Sequence, residues 1–371
     1  MTSIPKKPHL SRRKLIKYAG ASALVASAPA IVSNSVLAKH HRGRTKIVLA
    51  DGPFISKGAA MIAFEKGYFK KLGLDVSYKW FMDGSLIVAP MIAGEVDVGT
   101  LTPSAGMFNS IARGAKIHMF LDGGTDLERK HSYPVTMVSQ KHWDAGVRSP
   151  ADLAKIANQK AHLSAKGSIN EFCQDRTWMA GGIDPNKVNT EYGLPQPALM
   201  KLMMKGGVNI CNFAYHFGFI LQKAKKAQPI ALAYDVAPGN VISCYSYTEQ
   251  KFESVGREAY VRFAMAYLQA VQEFNAAADT KPPPAEIMDI LTKHTLFKGA
   301  KGRGLLTAIH PHWAQLQADG KPYKPGLAMM QDHWVDQRKY VKNKISIDKL
   351  ADVSIADEAA KRLQKENPFK A

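Results

Sequence analysis

Short β-branched runs alternate with helical patterns through the first half of the chain. Residues 46–50 and 74–80 have the composition of strands, and the second run alternates apolar and polar positions with a period of two. Residues 59–71 between them predict a helix, which ends at Gly73. The same strand and helix rhythm continues to residue 121. It predicts an α/β fold in which a mostly parallel sheet has helices on both faces.

The rhythm restarts after a loop at residues 122–131 that is rich in glycine, aspartate and lysine. The two halves therefore predict two similar α/β lobes, joined by a two-strand hinge near residues 134–140 and 230–236. From Gly256 onward the pattern becomes helical. We expect lobe 1 to comprise residues 39–135 and 235–371 with the C-terminal helices, and lobe 2 to comprise residues 136–234.

The N-terminal residues have a different character. The twin arginine Arg12-Arg13 precedes a weakly apolar run that ends in the small-residue pattern Val36-Leu37-Ala38. This pattern predicts a twin-arginine export signal at residues 1–38, and a mature periplasmic chain that starts at about Lys39. The run is too polar for a stable membrane-spanning helix, and no apolar run of about 18 residues follows it.

The charge of the chain is strongly positive but dispersed. The formal net charge of +19 falls to +13 when the six basic residues of the export signal are removed. The densest remaining cluster is Lys223, Lys225 and Lys226, on one predicted helix. Because no nucleic-acid-binding motif accompanies the charge, we expect no nucleic-acid partner. The excess could instead steer anionic ligands toward the protein.

Several kinds of chemistry have no sequence support. Three cysteines without a C-x-x-C pair allow one disulfide at most, so disulfides do not organise this fold. There is no serine-hydrolase elbow and no phosphate-binding P-loop. His310, His312 and His333 lack a further ligand at the spacing of a metal site. We expect no cofactor, no metal site and no catalytic residue.

Four loops that follow predicted strands are the candidate binding region. In open α/β sheets, ligands bind beyond the carboxyl ends of the strands and at helix N-termini. Gly52 and Gly167 would allow the backbone to approach a ligand closely, and Phe54 and Tyr215 would cover its apolar part. The candidate ligand-binding residues are Gly52, Pro53, Phe54, Ser56, Thr102, Pro103, Ser104, Gly167, Ser168, Asn170, Asn212 and Tyr215.

Three stretches resemble a known family. Ala63 to Val76, Asp83-Gly84 and Met91 to Gly99 are similar to the nitrate/sulfonate/taurine-type ABC transporter substrate-binding proteins and their thiamine-pyrimidine-binding relatives. The similarity continues through Ser149 to Leu153, Gly167-Ser168, Gly182 to Pro185 and Ala198 to Leu202, so it covers most of the mature chain in the expected order. It implies a type II periplasmic binding protein with two lobes, a small-molecule ligand in the cleft between them, and delivery to an ABC permease in the inner membrane. We expect a monomer.

The chain departs from the family in one motif. The second Gly-x-Val-Asp-Ala motif stands here as Gly206-Gly-Val-Asn-Ile210, and the usual proline shortly after it is missing. Sulfonate, nitrate, aromatic carboxylate and pyrimidine ligands therefore all stay open. An exported enzyme of related fold is an alternative, because twin-arginine export carries folded and often cofactor-loaded proteins. A binding protein that serves a sensor instead of a permease is another.

Overall fold

The computed structural model describes residues 43–370, so the expected export signal at residues 1–38 lies outside the described part of the chain. Within residues 43–370, no helix combines the length and apolar character needed to cross a membrane. The strands are β1 (Thr45–Asp51), β2 (Leu74–Trp80), β3 (Val98–Leu101), β4 (Ile117–Asp122), β5 (Pro134–Ser139), β6 (Ala161–Leu163), β7 (Thr190–Tyr192), β8 (Ile210–Ala214), β9 (Ala227–Leu232) and β10 (Cys244–Thr248).

Helices connect these strands and form the C-terminal third of the molecule. They are α1 (Gly58–Glu65), α2 (Tyr68–Lys71), α3 (Val88–Ile92), α4 (Ala105–Ala112), α5 (Gln140–Asp144), α6 (Ile169–Ala180), α7 (Gln196–Met204), α8 (Tyr215–Lys223), α9 (Ala233–Val236), α10 (Glu249–Val255), α11 (Arg257–Asp279), α12 (Ala285–His294), α13 (Gly299–Ile309), α14 (Lys324–Asp332), α15 (Ile347–Leu350) and α16 (Ser354–Lys365). Short 3-10 turns cover Ile55–Lys57, Gly84–Ile87, Arg129–His131, Pro150–Ile156 and Pro185–Lys187, and one π-helical turn covers His333–Gln337.

The larger sheet has five strands in the order β2-β1-β3-β10-β4. β1 pairs in parallel with β2 and β3, whereas β10 is antiparallel to both of its neighbours. Four of the five strands therefore run in the same direction, which confirms the mostly parallel α/β arrangement expected from the strand and helix rhythm. β10 comes from the distant part of the chain after residue 240, and it inserts between β3 and β4.

The edge strand β2 has buried and exposed side chains in alternation along its first four residues. In β2, Leu74 and Val76 are buried while Asp75 and Ser77 are exposed, so this strand has one apolar and one solvated face. The long helix α11 covers the sheet, and its Phe263 stacks on Phe69 of α2 with ring centroids 4.8 Å apart. Burial of this apolar face fixes the orientation of the sheet under the C-terminal helices.

A second group of strands forms from the middle of the chain. β5 lies between β8 and β9 and is antiparallel to both, and β6 pairs in parallel with β7. A small core under this sheet contains Val138, Trp178 and Ile210. The main apolar core nevertheless extends across both sheets, because it includes Leu49 of β1 as well as Met137 of β5 and Phe213 of β8.

Two chain segments connect the two sheets and are hydrogen-bonded to each other. Residues 123–126 run antiparallel to residues 239–243, with a bridge between Thr125 and Val241. The N–H of Gly123 donates to the carbonyl of Ser243 at 2.9 Å. The two-strand hinge expected near residues 134–140 and 230–236 falls on β5, the end of β9 and α9, and it stays a prediction. We call residues 123–126 and 239–243 the connecting segments.

The C-terminal part of the chain also spans the two sheets. After α14, the segment 333–341 packs against α6, the helix that follows β6. Arg338 forms a buried ion pair with Glu171, and His333 bonds Asp175 at 2.9 Å between Nε2 and Oδ2. This contact holds the start of α6, which carries part of the candidate site, against the rest of the protein.

Candidate functional site

A cavity of about 800 Å³, counting its open mouth, lies between the carboxyl ends of β1, β2 and β3 on one side and the three-stranded sheet with α6 and α7 on the other. Loops after β1, β2 and β3 line one side, and the starts of β5, α6 and α7 line the other. The lining residues are Gly52, Phe54, Ser56, Lys57, Met82, Asp83, Gly84, Ser85, Thr100, Thr102, Ser104, Tyr133, Pro134, Ser168, Ile169, Asn170, Gln196, Ala214, Ile242 and Ser243.

Seven of the twelve candidate residues lie in this cavity. They are Gly52, Phe54, Ser56, Thr102, Ser104, Ser168 and Asn170. Pro53, Pro103 and Gly167 are their chain neighbours but do not line it. For the residues that follow β1 and β3 the cause is topological, because parallel strands place their following loops at the same edge of the sheet. Ser168 and Asn170 follow β6 of a separate sheet and reach the cavity from its other side.

The two serines at helix starts use their hydroxyl groups to cap the helices. Ser104 Oγ accepts the N–H of Met107 at 3.2 Å at the start of α4. Ser168 Oγ accepts the N–H of Glu171 at 3.3 Å and donates to the carbonyl of Ala165 at 2.8 Å. Both hydroxyls therefore have partners in the protein, and they orient the helix starts toward the cavity.

Asn212 lies behind the cavity wall, where it orients Asn170. Asn170 Nδ2 donates to Asn212 Oδ1 at 2.8 Å, and Asn212 Nδ2 donates to Thr136 Oγ1 at 3.0 Å. Gln196 Nε2 in turn donates to Asn170 Oδ1 at 3.2 Å. Asn212 is buried and does not line the cavity, so the structure assigns it a positioning role.

Tyr215 lies in a different cavity. That cavity, of about 690 Å³ with its mouth, lies against the three-stranded sheet. The Tyr215 ring stacks on His312 with centroids 3.8 Å apart, and Arg129 and Asp235 lie beside them. The position of Tyr215 therefore does not support its expected role, which was to cover the apolar part of a ligand in the first cavity. Tyr133 lines the first cavity instead.

Tyr133 contributes an unsatisfied hydroxyl group. Its side chain is 6% exposed, and its hydroxyl oxygen has no hydrogen-bond partner within residues 43–370. Burial raises the pKa of Tyr133 well above its ordinary value, so the group stays a neutral donor. A buried hydroxyl without a partner is costly, and a polar ligand atom in the cavity would remove that cost.

Lys57 is a lining residue that sequence reasoning did not find. It belongs to the 3-10 turn Ile55–Lys57 and is 6% exposed. Its Nζ donates to the carbonyl of Gly123 at 3.2 Å and to Ser243 Oγ, so it touches both connecting segments. Burial lowers the pKa of Lys57, while the negative charges of Asp51 and Asp122 act in the opposite direction.

These two aspartates are buried behind the cavity and are saturated with donors. Asp51 Oδ1 accepts from Gly52 N–H and Thr100 Oγ1, each at 2.8 Å, and Oδ2 accepts from the Tyr245 hydroxyl at 3.1 Å. Burial raises the pKa of Asp51 to about 6, and the nearby Lys57 partly opposes the rise. The sequence did not predict this cluster, because the order of residues does not show which charged side chains become buried in the fold.

Asp122 has a similar environment at the end of β4. Its Oδ1 accepts from Thr125 Oγ1 at 2.7 Å, and its Oδ2 accepts from the N–H groups of Gly124 at 3.1 Å and Gln317 at 2.9 Å. Burial raises the pKa of Asp122 to about 6, against these hydrogen bonds and the charge of Lys57. Asp122 thus holds a connecting segment, whereas Asp51 holds the end of β1 against β3 and β10, and neither carboxylate lines the cavity.

The cysteines and the possible metal ligands of residues 43–370 do not support thiol or metal chemistry. Cys173, Cys211 and Cys244 are free and buried, and burial raises the pKa of each thiol. Within residues 43–370, no three His, Cys, Asp or Glu side chains form a group that could hold a metal ion. The arrangement is suited to binding by hydrogen bonds and charge.

Comparison with solved structures identifies the fold. The ligand-binding component of an ABC-type import system from Staphylococcus aureus aligns with a TM-score of 0.66 at 15% identity, over 85% of this chain and 99% of its own. The periplasmic nitrate-binding protein NrtA from Synechocystis PCC 6803 gives 0.67 at 14% identity, over 87% and 90%. The periplasmic aliphatic sulphonate binding protein SsuA from Escherichia coli gives 0.63 at 14% identity, over 85% and 100%.

These neighbours share the periplasmic binding protein fold, and the present chain has that fold with its cavity between two sheets. At such low identity the likeness concerns the fold. No curated protein matches the sequence significantly. A family model does match it, over residues 43–282, which is more than half of the chain. On this evidence the chain belongs to the NMT1-like family.

Proposed function

We propose that the protein is the periplasmic solute-binding component of an ABC importer. It holds a small polar or anionic organic molecule in the cavity between the sheets and delivers it to an inner-membrane permease. One observation carries the proposal: the cavity is lined from both sides, while hydrogen-bonded connecting segments join the two sheets. Similar folds in a nitrate-binding and a sulphonate-binding protein support it.

Ligand capture would proceed by hinge closure of two lobes. The expected bounds are residues 39–135 with 235–371 for lobe 1 and residues 136–234 for lobe 2. In this proposal the bending positions lie in the connecting segments, so the boundary between the lobes moves to about residues 126 and 239. When the lobes close, the ligand would contact Ser56, Thr102, Asn170 and the residues next to them. The protein acts as a monomer in this account, and no covalent step occurs.

Export would depend on the N-terminal residues. A twin-arginine signal at residues 1–38 would place the folded mature chain, from about Lys39, in the periplasm. The solved relatives reported above are binding components of import systems or periplasmic binding proteins, so the alternative of an exported enzyme is not favoured.

A thermal-unfolding screen of the mature chain tests the proposal. The compounds are alkyl and aryl sulfonates, nitrate, aromatic carboxylates and pyrimidines. A ligand present at a hundred times its dissociation constant should stabilise the protein by about 2.7 kcal/mol. Stabilisation by one chemical class supports a solute-binding protein. Absence of any shift, together with no co-purifying small molecule in native mass spectrometry, would contradict it.

A further inference from the structure

The cavity contains a buried ammonium group without a carboxylate partner. Lys57 forms no ion pair with any acidic side chain of residues 43–370; its Nζ contacts are a carbonyl oxygen and a hydroxyl oxygen. An ammonium group has three N–H donors, so one donor has no partner in the described protein. A buried charge is costly unless it is paired, and the cavity is the place from which a partner could come.

The nearby acids do not fill that role. The carboxylates of Asp51 and Asp122 accept hydrogen bonds on both oxygens from other groups, and neither residue lines the cavity. Among the lining residues, all of which are described, Asp83 is the one carboxylate. It is half-buried, and its Oδ1 accepts the N–H of Ser85 at 2.8 Å, so it caps the local turn.

Apolar groups line other parts of the same cavity. Phe54 contributes a ring, Ile169 and Ile242 contribute branched chains, and Met82 extends the apolar lining to the surface, where it is 53% exposed. Such a mixture suits a ligand with a compact polar head and an apolar body. A bare inorganic anion would leave these side chains facing water.

We infer that the ligand is an organic monoanion whose carboxylate or sulfonate group pairs with Lys57, while its apolar body contacts Phe54, Ile169 and Met82. The inference rests on the proposed function and selects among its ligand classes. Ser243 and Gly123 position Lys57, because both accept from its Nζ. A neutral pyrimidine lacks the negative charge that would pair with Lys57, and a free nitrate ion lacks the apolar body.

The test compares isosteric ligands by titration calorimetry on the mature chain. The pairs are benzoate with benzamide and benzenesulfonate with benzenesulfonamide, and sodium nitrate is the inorganic arm. The two anions distinguish a carboxylate from a sulfonate head. We expect the anion of at least one pair to bind about 10- to 100-fold more tightly than its neutral isostere, as hydrogen bonds to charged groups allow. Nitrate should bind more weakly than that anion.

Variants assign the preference to one residue. Lys57→Met should abolish the preference for the anion, and Lys57→Gln, which keeps hydrogen-bonding groups near Ser243, should do the same if the methionine variant does not fold. Lys71→Met removes the same charge from an exposed position of α2 and should keep the preference. Circular dichroism of each variant verifies folding.

Two results would overturn the inference. If neutral isosteres or pyrimidines bind as tightly as the anions, or if Lys57→Gln keeps the full preference, the ligand is not selected by this ammonium group. In that case solute binding itself still stands. If no compound of any class binds and native mass spectrometry detects no co-purifying small molecule, the proposed function fails together with the inference.

Discussion

The carbonyl oxygen of Gly167 accepts a hydrogen bond of 3.0 Å from the backbone N–H of Ala105. This bond joins the loop before α6 to the start of α4, and so links the two sides of the cavity. Gly167 has a φ of +71°, and a Cβ atom at this position would lie 2.8 Å from the Cβ of Ala105. Both the backbone conformation and the close approach therefore require glycine here.

Replacing this glycine should weaken the contact between the two sides. Gly167→Ala should lower the free energy of unfolding by about 1–2 kcal/mol for the left-handed conformation alone, and by more for the clash. Ligand affinity should fall as well, because the loops can no longer approach. Gly182→Ala is the control, since Gly182 has a φ of +75° and open space around it. Equal losses in both variants would show that the contact with Ala105 is unimportant.

The ion pair between Arg338 and Glu171 should be essential for stability. Glu171 is fully buried, and its other oxygen accepts the N–H of Gly167, so this pair supports the same loop. Arg338→Met should destabilise the protein by about 3–5 kcal/mol, because it leaves a buried carboxylate without its partner. Chemical denaturation measures the change.

An exposed ion pair provides the matched control. Lys160 and Glu191 lie 2.8 Å apart with about half of each side chain exposed, at 49% and 53%. Lys160→Met should change the free energy of unfolding by no more than about 1 kcal/mol. A loss in Arg338→Met as small as that in Lys160→Met would contradict a structural role for the C-terminal segment.

His216 should make the stability depend on pH. Both ring nitrogens are buried without a hydrogen-bond partner in the described chain, and burial lowers the pKa of His216 to about 3. The unfolded chain then binds more protons than the folded chain between pH 3 and 6.5. The contribution of this residue to stability is therefore full above pH 6.5 and is lost as the pH falls toward 3.

The variant His216→Leu removes this dependence. We compare the free energy of unfolding of the variant with that of the unmodified protein at each pH. The difference, variant minus unmodified protein, should be about 2 kcal/mol more positive at pH 5 than at pH 8. The other titrating groups are common to both proteins and cancel in the difference. Urea denaturation at the two pH values provides the measurement. A relative stability that is the same at both would show that His216 titrates normally in the folded protein.

Residues 1–38, which lie outside the described part of the chain, should direct export of the protein through the twin-arginine pathway. Replacing Arg12 and Arg13 by lysine keeps the charge but changes the twin arginine, so the precursor should stay in the cytoplasm. Cell fractionation with immunoblotting measures the distribution. Replacing Lys6 and Lys7 by arginine is the control and should leave export intact. Periplasmic accumulation of the Arg12→Lys, Arg13→Lys protein would contradict twin-arginine transport.

Much of the first sheet could be predicted from sequence. β1 and β2 have clear apolar patterns, and glycines or serines mark the neighbouring helix boundaries. β10 was missed, because all five residues of Cys244–Thr248 are buried and show no alternation of apolar and polar positions. Its antiparallel insertion between β3 and β4 depends on a pairing that is distant in sequence.

The candidate site was predictable only where it follows topology. Phe54 and Thr102 lie in the cavity because loops after the neighbouring strands β1 and β3 meet at one edge. Asn170 lies there because the start of a helix after a strand of the other half faces the same cavity. Lys57 was missed because a lysine in a helix-start pattern is normally solvated, and only the packing of the connecting segments buries it. Tyr215 follows a strand as expected, but α8 turns its ring toward His312.

A crystal structure of the mature chain with the ligand that gives the greatest thermal stabilisation tests the central claim most directly. The account predicts one molecule enclosed between Lys57 on one side and Asn170 on the other, with the two sheets closed around it. Ligand bound instead beside Tyr215 and His312, or an empty cavity at saturating ligand, would contradict the account.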